Sequence, residues 1–251
     1  MHQTAQEPKK ALADDAKQDV YAVLRRDIVE LRLRPGAIVS IRELCEHFSV
    51  SRSPMRDALI RLGQEGLIDL MPQRGIGIAK IDLRRVEEER FLRKSVERCV
   101  MQSYMEYRKP EDADVLDRSI RRQQRSIDSG NYRKNITLDD EFHKYFYKAS
   151  GKMFCADVVW KSCGHYSRAR LLTCADMDMA LGVLHQHEEM TEAVRQGDTD
   201  RLLEIFDRHL NKIGTEERAL IRKFPELFTQ QEMQDEPDDP LRSDFLDTLK
   251  I

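Results

Sequence analysis

Residues 41–70, IRELCEHFSVSRSPMRDALIRLGQEGLIDL, constrain this chain more than any other stretch. Ile41, Leu44, Cys45 and Phe48 recur at helical spacing and predict one apolar face on a short helix. Ser49-Val50-Ser51 breaks that period, and a second helix follows with Met55, Ala58, Leu59 and Leu62 on its apolar face. Either Ser51 or Ser53 caps it; Ser53 would put Pro54 at the first helical position, where a missing N–H costs nothing. Two short helices joined by a tight turn, the second opening with Arg52 and Arg56, form a helix-turn-helix pattern. The N-terminal residues of such a second helix meet base edges in the major groove. Arginine suits that position because its planar fork bonds both O6 and N7 of guanine.

Gly66 ends the second helix, and Leu67 to Leu70 reads as a strand. Pro72-Gln73-Arg74-Gly75 is a turn, followed by a second strand at Ile76-Gly77-Ile78. A β-hairpin after a helix-turn-helix makes a winged helix, with Arg74 at its tip. Upstream, residues 19–33 predict a helix with Val20, Val23, Leu24, Ile28 and Leu31 on one face, closed by Arg34-Pro35-Gly36.

These residues also carry a family resemblance. RPGAIVSIRELCEHFSVSRSPMRDALIRLGQEGLI, followed by Arg74-Gly75, resembles the winged-helix domain of GntR-type bacterial transcription regulators. The proline-glycine turn, the VSR-x-P-x-R core, the ALxxLxxEGL segment and the RG wing stand in the family's order. The resemblance implies that Arg42, Ser51, Arg52, Arg56 and the wing around Arg74 and Gly75 contact double-stranded operator DNA.

Charge supports a DNA-binding N-terminal region once it is divided along the chain. The whole sequence carries a formal charge of −3. Residues 17–80 hold 11 Lys+Arg against 8 Asp+Glu, or +3, which leaves −6 for the rest. Residues 225–251 hold 8 acidic and 2 basic residues, again −6, so the basic excess lies with the helix-turn-helix. No apolar run approaches a bilayer span and no signal-peptide core precedes the domain, which predicts a cytoplasmic protein with no membrane partner. Five cysteines without a CxxC pair suggest neither a disulfide framework nor a zinc ribbon.

Beyond residue 82 every segment reads as helix: 84–107, 112–128, 136–149, 154–173, 179–195 and 199–223, separated by short turns. The expected fold is therefore mainly α, with an N-terminal winged helix-turn-helix and its small β-hairpin followed by an antiparallel bundle of about six helices. Its expected divisions are a flexible arm (1–16), the DNA-binding domain (17–81), a helical effector-binding and dimerisation domain (82–224) and a mobile acidic tail (225–251).

Within the bundle, Asp139 and His143 are four residues apart and share one helix face. His187 lies ten residues before Gly197 and His209 eleven after Asp198. In a helix pair turning there, both sit about 15 Å from the turn at ~1.5 Å rise per residue. If the Asp139 helix packs beside that hairpin, three imidazoles and a carboxylate converge, a set suited to zinc, nickel or manganese. The bland alternative is that these are surface or half-buried helical histidines. His165 lacks comparable geometry.

Residues from about 86 to 224 resemble the all-helical FCD effector domain of the FadR-type branch of the GntR family. The matching pieces are D-x-x-F-H at Asp139 to His143, the Ser150-Gly151 turn, His187 before A-V-R-Q-G-D, and His209-Leu210. The resemblance maps the family's metal ligands onto Asp139, His143, His187 and His209. It implies a small organic acid or sugar acid as effector, with Arg93, Arg168 and Arg170 as candidate partners for its carboxylate. The implied protein is a ligand-responsive regulator, a repressor by expectation, binding a palindromic operator as a homodimer. Two other readings are a metalloenzyme using the His/Asp centre and a DNA-binding protein with a purely structural metal. No HExxH motif, nucleophile elbow or phosphate-binding glycine loop accompanies the centre.

Overall fold

The computed structural model describes residues 20–71, 74–109 and 111–229; the expected N-terminal arm and residues 230–251 of the expected tail lie outside them. Helix α1 (20–29) buries Val20, Leu24 and Ile28, one residue per turn, and Leu31 in the left-handed region turns the chain away before residue 33. Strand β1 (Ile38–Val39) follows. Helix α2 (Ile41–Phe48) starts from a complete capping box between Ser40 and Glu43. It buries Leu44 and half-buries Cys45 and Phe48, whereas Ile41 is exposed.

Helix α3 (Arg52–Gln64) is capped at Ser51, which places Pro54 third rather than first in the helix. Its inner face is Met55, Ala58, Leu59 and Leu62, packed with α1 and α2 into the core of the winged helix. Strands β2 (Ile68–Met71) and β3 (Gly75–Ile78) form the hairpin. β1 adds to the other edge of β3, giving three antiparallel strands in the order β1-β3-β2, where the sequence pattern indicated only two. β1 escaped notice because two residues carry no readable alternation.

Asp82 caps α4 (Leu83–Tyr107) by accepting from the Arg84 N–H. Then come α5 (Asp112–Asp128), α6 (Tyr132–Ala149), α7 (Met153–Ser162), α8 (Gly164–Cys174), α9 (Met177–Gln196) and α10 (Thr199–Lys223). Among the described residues the bundle thus has seven helices, because the continuous helix expected over 154–173 breaks at Cys163–Gly164. Cys163 leaves the helical region (φ −104°, ψ 48°), and Gly164 then packs so closely that a Cβ there would lie 2.8 Å from the Leu67 side chain, so α8 begins against the winged helix. α5 packs against α6 and α9, and α10 packs against α9 and α4, around a core that includes Met101, Phe142, Phe146, Met190 and Phe206.

Residues 225–229, assigned by sequence to the acidic tail, are docked. Leu227 and Phe228 are buried, the Ile81 N–H donates to the Leu227 carbonyl and the Thr229 N–H donates to the Ile81 carbonyl, a parallel bridge between Ile81 and Phe228. Two apolar side chains outweigh the acidic composition around them, since each buried one contributes about 1.5–3 kcal/mol.

Gly75 sits at φ +116°, and a Cβ there would lie 2.8 Å from the Val39 carbonyl oxygen. Its glycine character thus belongs to the wing's construction. Gly75→Ala should destabilise the winged helix by about 1–3 kcal/mol, measured by chemical unfolding of the full chain. An unchanged midpoint would show that β1 does not hold the wing against this residue.

Candidate metal centre and DNA-binding face

The structure brings Asp139, His143, His187 and His209 together inside the bundle, all buried, with one potential ligand atom from each within 4.8 Å of the others. α6 supplies Asp139 and His143 one turn apart. α9 and α10 supply the other two from either side of a turn in which Gly197 adopts φ +75° and Asp198 caps α10. The His187 and His209 ring centroids are 4.9 Å apart, and Phe142 stacks on His187 at 4.1 Å.

What aims these rings is a second layer of acceptors. The carboxylate of Glu97 on α4 accepts from His143 Nδ1. Gln123 Oε1 on α5 accepts from His187 Nδ1 at 2.9 Å, and Gln186 Oε1 accepts from His209 Nδ1 at 2.9 Å. Each imidazole therefore spends its Nδ1 hydrogen outward and turns its Nε2 lone pair inward, the tautomer a metal ligand requires. His187 Nε2 lies 3.6 Å from Asp139 Oδ1 and is buried without a hydrogen-bond partner. His143 Nε2 lies 3.9 Å from Asp139 Oδ2 and 3.2 Å from His209 Nε2. Two facing nitrogen lone pairs at that separation are favourable only with a proton or a cation between them. The donor set fits a divalent ion of the zinc, nickel or manganese type, though nothing in it selects among the three.

Electrostatics favour the ligating forms. Burial, opposed by Asp139 and aided by His143, lowers His187 to about 3, and burial with His187 and His143 lowers His209 well below the usual histidine range, so both are neutral near pH 7. Burial would raise the Asp139 carboxyl, but Arg170 foremost and then the three imidazoles hold it well below the usual carboxylate range. Glu97 is likewise opposed by burial yet drawn down to about 2 by His143 and Arg93.

The three candidate effector arginines separate. Arg170 on α8 contacts Asp139 and bonds Asp140 at 2.8 Å. Arg93 on α4 is buried, bonds Glu97 through Nε at 2.9 Å, and leaves Nη2 without a partner. The Tyr147 hydroxyl nearby is also buried and unpartnered. Arg168 belongs elsewhere. It donates to the Ala79 carbonyl at 2.6 Å and to His165 Nδ1 at 3.0 Å, where the bundle meets the winged helix. Two residues of helix separate Arg168 from Arg170, so one cannot face the centre while the other does. His165 completes this junction, accepting from the Asp82 N–H and bonding the Gly66 carbonyl through Nε2, both at 3.0 Å.

Sequence reasoning missed Gln123 and Gln186 and gave Glu97 no role. Their signal is weak: Gln123 is an amide on the inner stripe of α5, where Ala113, Leu116, Ile120 and Ile127 are buried.

On the winged helix, Arg42, Ser51, Arg52, Arg56 and Arg74 are all exposed. Arg52 and Arg56 are one turn apart on the outer face of α3, and Arg42 pairs with Glu46 at 3.2 Å on α2.

A winged helix-turn-helix joined to a helical unit with an interior polar site is the architecture of a DNA-binding regulator carrying its own sensor domain. Residues 16–78 match the family described as bacterial regulatory proteins, gntR family, and residues 90–212 match the FCD domain. The chain is 30% identical over 213 residues to an HTH-type transcriptional regulator in an unstable DNA locus of Streptomyces ambofaciens, covering 84% of this chain and 89% of the relative. It is 27% identical over 214 residues to the HTH-type transcriptional repressor RspR of Escherichia coli strain K12, covering 85% and 94%. Among solved structures, E. coli McbR/YncC shares the fold with a TM-score of 0.69 at 16% identity, over 83% of this chain and 98% of that one. A putative GntR regulator from Rhodococcus sp. RHA1 does so at 0.65 and 19%, over 81% and 97%. The chain belongs to the GntR family. It is a transcription regulator with an FCD effector-binding domain. Among the described residues no helix is long and apolar enough to cross a membrane.

Removing an outer acceptor should loosen the metal without removing a ligand. Gln123→Leu and Gln186→Leu should each weaken divalent-metal affinity by about 10–100-fold, read by competition with a chelating dye. Affinity equal to the parent in both would mean that these bonds do not aim the histidines. Arg52→Ala should cost about 1–3 kcal/mol at the specific operator while leaving non-specific binding in place. Parental operator affinity in a gel-shift titration would remove Arg52 from base readout.

Proposed function

We propose that this protein is a metal-dependent, ligand-responsive transcription regulator that binds a palindromic operator as a homodimer and responds to a small organic acid or sugar acid. The observation that carries the reading is the inward aim of three buried Nε2 atoms beside Asp139, each ring fixed by an acceptor behind it. Asp139, His143, His187 and His209 would hold the metal, which supplies a Lewis-acidic position for an anion. Arg93 and Arg170 are the cations placed to receive the rest of a carboxylate. The unpartnered Arg93 Nη2 supports this role, because an unsatisfied buried donor costs about 1–3 kcal/mol. The repressor named among the relatives supports a repressing role here.

Arg42, Ser51, Arg52, Arg56 and Arg74 are proposed to meet DNA, the first helical turn of α3 reading bases and the others positioning it. A two-fold dimer places two such helices in successive major grooves, so their separation sets operator affinity.

Helix α8 is the proposed link between sensor and reader. Arg170 on one side holds the ligand Asp139, while Arg168 and His165 on the other hold Ala79, Gly66 and Asp82 at the winged-helix exit. A ligand that changes the Arg170 position differently in two dimer arrangements shifts their populations.

The expected coupling between effector and operator is about 1–3 kcal/mol, and it should vanish when the metal is stripped. Calorimetry of citrate or lactate as effector probes, with and without operator and with and without zinc, measures it. Arg168→Gln should retain metal while reducing the coupling. Metal content in purified parent equal to that of a His187→Ala, His209→Ala double variant would reject the centre. Metal bound with operator affinity indifferent to every organic acid would leave a structural metal.

A further inference from the structure

A second cavity lies away from the metal centre, between the two domains. It encloses about 370 Å³ and is lined by Ala22 and Arg26 of α1, Ile136 and Lys144 of α6, Trp160 of α7 and Leu171 of α8. That volume falls within the range of small-molecule sites, and domain interfaces are where such sites concentrate. The apolar lining of Ala22, Ile136, Leu171 and the Trp160 ring suits a compact hydrophobic body.

The charges around it are unevenly committed. Arg25 is occupied by Glu65 at 2.6 Å and by the Trp160 and Lys161 carbonyls. Glu30 is held by Arg32 at 2.7 Å, and Asp140 by Arg170 at 2.8 Å. Two cations keep looser company. Arg26 is exposed, with its own neighbour Asp27 as its carboxylate at 3.9 Å. The Lys144 ammonium sits over the Trp160 ring at 4.7 Å. Lys161 also lines the cavity, and Asp157 is the remaining carboxylate there. The residual charge is therefore positive beside an aromatic wall.

We propose that this cleft is a second ligand site, distinct from the metal centre, for an arylalkyl monocarboxylate: an aromatic ring packed against Trp160, Ile136 and Leu171, with its carboxylate between Arg26 and Lys144. Its occupant touches α1 of the winged helix and α6, α7 and α8 of the sensor domain together. It therefore acts on the relative position of the two domains without entering the bundle. The proposal does not rest on the metal reading, because no lining residue is a ligand of that centre.

Trp160 is the single tryptophan of the chain and lines the cleft, with Arg93 over the same ring at 5.1 Å, so its fluorescence reports on the cleft and the His187→Ala variant separates that signal from the metal centre. The full-length protein is titrated with phenylacetate and, in parallel, with the uncharged phenylacetamide. Phenylacetate should change Trp160 emission saturably, with phenylacetamide weaker by about tenfold, equivalent to about 1.4 kcal/mol. Ala22 and Arg26 are exposed on α1, so Ala22→Phe, which fills the cleft, and Arg26→Glu, which reverses its charge, leave the core intact. Each should weaken phenylacetate by about tenfold or more, with unchanged circular dichroism. His187→Ala should leave the titration as in the parent. A titration that never saturates, that Ala22→Phe and Arg26→Glu leave unaltered, or that disappears in His187→Ala overturns the proposal. The last outcome would move the ligand to the metal centre, whereas failure of metal binding alone would leave the cleft standing.

Discussion

Three buried imidazoles and a carboxylate can share one space only if each ring's proton is given a place to go. Glu97, Gln123 and Gln186 provide those places from α4, α5 and α9, so the centre draws on five helices although its ligands come from three. Without the acceptors, each Nδ1–H would be an unsatisfied buried donor. The rings would then be free to rotate their hydrogens toward one another. With them, ring orientation is fixed before any ion arrives, and little side-chain entropy remains to be lost on binding. The bundle's interior is built around this polar cluster, with Phe142 stacked on His187 and Phe206 packed beside His143 to exclude water.

The same polar interior reaches the winged helix through one short helix. α8 begins where Gly164 meets Leu67 and carries His165, Arg168 and Arg170 in its first two turns. Arg168 is fully buried, and burial lowers its affinity for a proton to about 10, which still leaves it charged near pH 7. A buried guanidinium is costly unless its donors are met, and the Ala79 carbonyl meets one of them. Sliding the winged helix away would strand that charge. The junction thus resists continuous deformation and favours discrete arrangements, the property a switch between domains needs. His165, drawn down to about 4 by burial and by Arg168, stays neutral there and keeps its Nε2–H on Gly66.

Much of this was legible in the sequence, and the limits of that reading have physical causes. The helix-turn-helix declared itself because α2 and α3 are short, separated by a turn that breaks the helical period, and internally periodic. The convergence of Asp139, His143, His187 and His209 declared itself because helical spacing and a glycine turn convert sequence distance into height along a bundle. The break between α7 and α8 did not, since a single non-helical residue, Cys163, interrupts an apolar run and the packing of Gly164 against Leu67, nearly a hundred residues upstream, cannot be read locally. Arg168 and Arg170 could not be assigned by spacing, because two residues apart guarantees different faces without saying which face is inward. Gln123 and Gln186 were hidden for another reason: an amide on an amphipathic helix carries no mark of whether it is solvated or holding a histidine. The docked residues Leu227 and Phe228 were masked by an acidic segment whose composition dominates any window containing them.

The charges gathered at the centre bear on what kind of ligand could complete it. Glu97, Asp139 and Asp140 contribute −3, and Arg93 and Arg170 contribute +2, a net of −1 with the imidazoles in their neutral, ligating form. A divalent cation would bring this to +1 in an interior where an uncompensated charge is expensive. One monoanion restores neutrality, and a carboxylate can do so while also meeting the open donor on Arg93. A neutral ligand of the same size would leave both the excess charge and that donor in place. Charge balance and hydrogen-bond balance therefore select the same chemistry, and they do so only when the cation is present. On the proposed reading, that dependence would make metal and organic acid cooperative, since each would lower the electrostatic cost of the other's burial.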